Sequence, residues 1–143
     1  MHLRKTDPII VVEDDPDDQE LLKYICKSLD IKNELLFFDN GAAAYDYLTT
    51  TTNKTFIILC DINLPMMDGI ELRDKIEKNE VLKRKSIPFV FMSTAATKSQ
   101  VEKAYLLAVQ GFFLKAMSFK EFERKLRIIF EYWQECITPN TDF

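Results

Sequence analysis

Glycine is scarce in this chain: Gly41, Gly69 and Gly111 are its only three, and they stand far apart. That excludes a glycine-rich loop of the Walker or dinucleotide-binding kind, in which backbone amides cradle phosphate. Side chains must carry the chemistry instead. Cysteine is equally sparse. Cys26, Cys60 and Cys136 are odd in number and match no CxxC or zinc spacing, so they read as reduced thiols of a cytoplasmic protein. Long apolar runs are missing too. Residues 56–60 are among the longest, far short of a bilayer span, and the opening MHLRKTDP lacks the apolar core of a signal peptide. Nor is there an excess of positive charge: 19 basic residues face 23 acidic ones, and a net charge of -4 argues against a phosphate-seeking surface for nucleic acid.

What is present is ample apolar material. The chain is 47% hydrophobic with eleven Phe, enough for one sizeable core. Its 143 residues predict a single domain over 1–143, with a core at about 7–137 and short tails at both ends. Short apolar runs at 9–12, 34–38, 56–60, 89–93 and 112–114 alternate with stretches of helical period at 16–29, 42–50, 70–79, 99–109 and 118–137. That alternation predicts an α/β fold, a doubly wound parallel sheet of five strands with helices on both faces. The first, third and fourth runs are almost wholly apolar, as strands covered on both sides should be. The first helix has a well-marked start, with Asp15 to cap, Pro16 at the first position, and Asp17 and Asp18 at the positive end of the dipole. The last opens with Ser118 and Glu121 at capping-box spacing and carries the stripe Phe119, Phe122, Leu126, Ile129, Trp133 and Ile137.

In such a sheet the functional crevice lies at the carboxyl ends of the strands. The first strand runs into Glu13, Asp14 and Asp15, and the third ends on Asp61. Several carboxylates gathered there need a cation, and magnesium suits them because it prefers oxygen ligands and keeps part of its water. For Asp15, Asp17 and Asp18 the plainer reading is helix capping; Glu13 and Asp14 precede the helix and gain little from it. DDPDD is not an EF-hand, since the required glycine and terminal glutamate are missing. The fourth strand ends in Ser93 and Thr94 and the fifth in Lys115, which is either a plain partner for the carboxylates or a phosphate-binding ammonium. A nucleophile, a cation site, a hydroxyl and a fixed positive charge on one edge are the parts that phosphoryl transfer requires.

Taken together, VVEDDPDD at 11–18, DINLPMMDG at 61–69, IPFVFMST at 87–94 and GFFLK at 111–115 resemble the receiver domain of two-component response regulators. The likeness covers nearly the whole chain and is closest to the stand-alone, chemotaxis-regulator-like members. It implies a flavodoxin-like strand order of 2-1-3-4-5. It implies that Asp61 is the phosphoacceptor, that Glu13, Asp14, Asp61 and the main-chain oxygen of Asn63 hold Mg2+, and that Lys115 pairs with the phosphate. Ser93 would be the switch hydroxyl, with Thr94 pointing elsewhere, and Phe112 the switch aromatic or else an ordinary core residue. Implied partners are a histidine kinase or histidine phosphotransfer protein and a downstream protein target bound around the fourth helix, fifth strand and fifth helix, with no nucleic acid and no membrane. The charges Arg124, Lys125, Arg127, Glu131 and Glu135 leave either a monomer with a solvated last helix or a weak homodimer.

Such a protein catalyses at most its own phosphorylation and dephosphorylation. A haloacid-dehalogenase-type hydrolase also has an Asp after a buried strand, but it wants a second Asp where this chain has Asn63. The other alternative is a degenerate receiver serving as a constitutive protein-binding module. Two positions depart from the family pattern. Proline usually follows the lysine, commonly with a cis bond, and here it is Ala116, for which a cis bond costs about 2.5–4 kcal/mol. Ala95, two beyond Ser93, has no polar side chain, so water attacking a phosphoaspartate would be oriented by Asn63 if by any side chain.

Overall fold

The first, third and fourth apolar runs, which read as covered on both faces, lie at the centre of the sheet. In the computed structural model, which describes residues 5–115 and 118–141, β1 (Ile9–Val12), β3 (Ile57–Cys60) and β4 (Phe89–Ser93) are buried throughout. The partly exposed edges are β2 (Leu35–Phe38) and β5 (Gly111–Leu114). All five are parallel in the order β2-β1-β3-β4-β5, as expected. Val12 pairs with both Phe38 and Cys60, and Ser93 with Leu114. The strands therefore end level, and the residues that follow them leave at one edge.

Strand alternation splits the core into two layers. Ile9, Val11, Ile57, Leu59, Val90 and Met92 face α1 (Pro16–Ser28) and α6 (Phe119–Glu135). On the other face Ile10, Val12, Ile58, Cys60, Phe89 and Phe91 meet α2 (Gly41–Thr50), α3 (Gly69–Lys78), α4 (Glu80–Lys85) and α5 (Lys98–Leu106). Among the described residues no helix is long and apolar enough to cross a membrane.

Strand bounds match the sequence reading to within one residue, but the helices depart from it in three places. The six-residue α4 was not anticipated: Asn79 closes α3 and caps α4, accepting from Leu82 N–H at 3.0 Å, and Ser86 ends it in the left-handed region at φ 49°. A piece so short shows too little periodicity to be read. α5 stops at Leu106 rather than 109, because the Arg73 guanidinium takes the carbonyls of Leu107 and Ala108, at 2.9 and 3.0 Å, and Ala108 turns left-handed. Ile137 lies beyond α6 and is exposed, so the apolar stripe ends at Trp133.

Gly69 opens α3 directly behind the end of β3. A Cβ there would lie 2.4 Å from the Asp61 carbonyl oxygen and 2.6 Å from the Phe91 ring. Backbone cannot yield as a flexible side chain does, so Gly69→Ala is expected to cost about 1–3 kcal/mol, read as a lower urea midpoint. An unchanged midpoint would show that the Asp61 turn can relax.

Candidate functional site

Glu13, Asp61 and Lys115 each stand one step beyond a strand, with their amides still laddered to a neighbour. Glu13 N–H donates to Phe38 at 2.9 Å, Asp61 N–H to Val12 at 2.9 Å and Lys115 N–H to Ser93 at 2.8 Å. The backbone is thus fixed while the side chains project into the crevice at the carboxyl ends of the strands.

There the Lys115 ammonium donates to Glu13 Oε1, to Asp18 Oδ2 at 2.9 Å and to Asp61 Oδ2 at 3.3 Å. Its side chain is only 6% exposed, and that of Glu13 only 3%. Burial by itself lowers the lysine pKa, but the hydrogen bonds that Lys115 donates to Glu13 and Asp18 and the charges of Glu13 and Asp61 outweigh it, and the net displacement is upward. Glu13 is also displaced upward, because desolvation of its carboxylate exceeds what Lys115 and the Asp15 N–H return. Three carboxylates against one ammonium leave two negative charges unbalanced.

The remaining acidic residues separate by role. Asp15 accepts from Asp17 N–H at 2.8 Å and caps α1, as its position predicts. Asp18 departs from the capping reading, since its carboxylate turns to Lys115. Its spacing could have shown this: a residue one turn into α1 points back toward the strand end from which the helix starts. Asp14, the residue after Glu13, is exposed. Asn63, also exposed, donates its N–H to Asp61 Oδ1 at 3.1 Å. Two contacts carry no sequence signal of their own, Gln19 Nε2 donating to the Glu13 carbonyl at 2.6 Å and Gln100 Nε2 to Asn63 Oδ1 at 3.4 Å.

Among the described residues no three acidic, histidine or cysteine side chains gather tightly enough to cage a metal unaided. The donor set nonetheless fits a hard divalent cation: all its atoms are oxygens, it carries excess negative charge, and magnesium uses one or two carboxylates and completes its shell with water.

Of the other predicted positions, Ser93 stands at the end of β4 and Phe112 two residues before the end of β5. Ser93 is fully buried and its hydroxyl donates to the Ala95 carbonyl at 2.7 Å, while Thr94 is exposed. Phe112 is half-buried against Phe91, ring centroids 5.7 Å apart. Ala116, whose bond to Lys115 the sequence leaves open, lies outside the described residues. All three cysteines are free; burial pushes the Cys26 thiol up to about 12 and Cys60 well above its ordinary value, so neither is a thiolate nucleophile near neutral pH.

A family model described as response regulator receiver domain matches residues 9–127. Response regulator Rcp1 of Synechocystis sp. is 31% identical over 135 residues, 91% of this chain and 90% of that protein. Among solved structures, the phosphorylated cyanobacterial phytochrome response regulator RcpA aligns with a TM-score of 0.83 at 26% identity, over 94% of this chain and 98% of that one. The manganese(II)-bound form of Rcp1 aligns at 0.80 with 30% identity and the same coverage.

Proposed function

Because the chain belongs to the response regulator receiver domain family, we propose that Asp61 accepts a phosphoryl group from the phosphohistidine of a histidine kinase or phosphotransfer protein and that the phosphoaspartate switches a protein-binding surface. The observation that carries this reading is the buried Lys115 ammonium, which ties Asp61 to Glu13 and Asp18 at the open edge of the sheet. The manganese-bound Rcp1 and the phosphorylated RcpA support it from two sides, one for the cation and one for the modification.

Asp61 Oδ attacks phosphorus, the P–N bond to the donor imidazole breaks, and the imidazole keeps the electron pair and takes up a proton. Lys115 then has a phosphoryl oxygen to pair with in addition to its carboxylates. Glu13, Asp14, Asp61 and the Asn63 main-chain oxygen would hold magnesium, which when bound neutralises charge on the transferring oxygens. Ser93 exchanges the Ala95 carbonyl for a phosphoryl oxygen, the stronger, charge-assisted acceptor. Phe112 follows into the space released, and the face formed by α5, β5 and α6 changes shape.

Incubation with acetyl phosphate tests this directly. One phosphate-sized gain in mass is expected with magnesium and none after chelation with EDTA. Absence of any gain in folded, magnesium-loaded protein would favour a constitutive binding module.

A further inference from the structure

We propose that Gln100 is a positioning residue that lengthens the life of the phosphoaspartate by drawing the Asn63 side chain toward α5; this rests on the reading of Asp61 as phosphoacceptor. Gln100 is the third residue of α5, and its amide is oriented by a closed capping box. Thr97 Oγ1 accepts from Gln100 N–H at 3.1 Å and Gln100 Oε1 accepts from Thr97 N–H at 3.0 Å. With its oxygen engaged, the amide can only turn its nitrogen outward, and Nε2 meets Asn63 Oδ1 at 3.4 Å across 37 residues of chain.

Asn63 is anchored beside the nucleophile through its own N–H to Asp61 Oδ1. Ala95 offers only a methyl group at the other flank of the crevice, so the Asn63 amide is the side chain placed to orient an attacking water. In that hydrolysis the water oxygen bonds to phosphorus, the P–O bond to Asp61 breaks with its electron pair returning to the carboxylate, and a water proton passes to solvent. The water needs an acceptor, and Asn63 Oδ1 is that acceptor. Gln100 competes for the same oxygen. At 3.4 Å the competing bond is long, so it biases the amide rather than locking it.

Gln100→Glu separates this role from helix capping. The carboxylate still accepts from Thr97 N–H, as glutamate does in a capping box, but has no N–H for Asn63. The variant and the unaltered protein would be charged with acetyl phosphate and magnesium, freed of donor, and followed by intact mass. Gln100→Glu is expected to lose phosphate about two- to threefold faster, the low end of what one hydrogen bond contributes, as suits a contact at 3.4 Å, with its thermal midpoint unchanged. In an Asn63→Ala background the same change should have no effect. Equal or slower loss would overturn the proposal, as would an acceleration that persists in that background. Failure of the unaltered protein to take up phosphate would instead strike the phosphoacceptor reading, and this inference with it.

Discussion

Asp61→Asn is expected to abolish the phosphate-sized mass gain from acetyl phosphate, with magnesium present and the fold intact. The amide is nearly isosteric, so its oxygen can still accept from Asn63 N–H as Asp61 Oδ1 does at 3.1 Å. What it lacks is the negative charge that makes an oxygen a nucleophile toward phosphorus. Lys115 keeps Glu13 and Asp18, so the crevice remains paired. Removing one of two unbalanced negative charges also lessens repulsion, and the variant should melt no lower than the unaltered protein at neutral pH and low salt. A mass gain that survives in Asp61→Asn would place the phosphate on another side chain and remove the functional reading.

Lys115→Met should produce the largest loss of stability among single changes at the site. Methionine keeps most of the apolar stem and deletes the ammonium that Glu13, Asp18 and Asp61 share. Breaking a buried pair from one side costs about 3–5 kcal/mol, and the lower figure applies here because the Asp18 side chain is 28% exposed. The pH dependence follows from the two displaced groups. Lys115 holds its proton more tightly folded than unfolded, so its contribution is complete below the ordinary lysine value of about 10.4 and is lost as pH rises through that value and beyond. Glu13 also holds its proton more tightly when folded, so its burial favours the native state in acid, and that advantage is lost as pH rises past the ordinary glutamate value of about 4.3.

Without Lys115, nothing of comparable strength opposes the desolvation of Glu13, and the penalty near neutral pH grows. The difference in urea midpoint between Lys115→Met and the unaltered protein should therefore be widest near neutral pH and shrink on acidification as Glu13 takes up a proton. Magnesium should narrow it at neutral pH by restoring positive charge to the same edge. A difference that is constant across this range would show that Glu13 is not the charge Lys115 neutralises.

Much of this molecule is legible without coordinates because its signals are local. Four consecutive apolar residues in β1, and again in β3, announce strands, although the same signal in β2 belongs to a partly exposed edge. Asp15, Pro16 and Asp17 mark the start of α1 within a single turn, and the carboxylates at the first and third strand ends, with Lys115 after the fifth, place the site at one edge once the strands are parallel. Those inferences need only side-chain period, capping chemistry and the rule that crevices form at carboxyl ends.

The rest depends on partners far away in the chain. α5 ends where it does because Arg73, 34 residues earlier, takes the Leu107 carbonyl. The place of Asp18 one turn into α1 aims it back at the strand edge, but that its partner is Lys115, 97 residues later, follows only from the fold. Ser93 can be placed at the edge from its position in β4, but that its hydroxyl rests on Ala95 follows from how the next loop folds back. Gln100 closes a capping box with Thr97 in the folded chain, and only packing of α5 beside the Asp61 turn brings its amide to Asn63. The amino-acid order by itself determined which residues bear charge and at which end of which strand they emerge, since both follow from interactions within about one turn or one strand. The tertiary structure alone decided which of those charges pair, because a hydrogen bond needs its atoms within a few tenths of an ångström and that tolerance is set by packing, not by spacing.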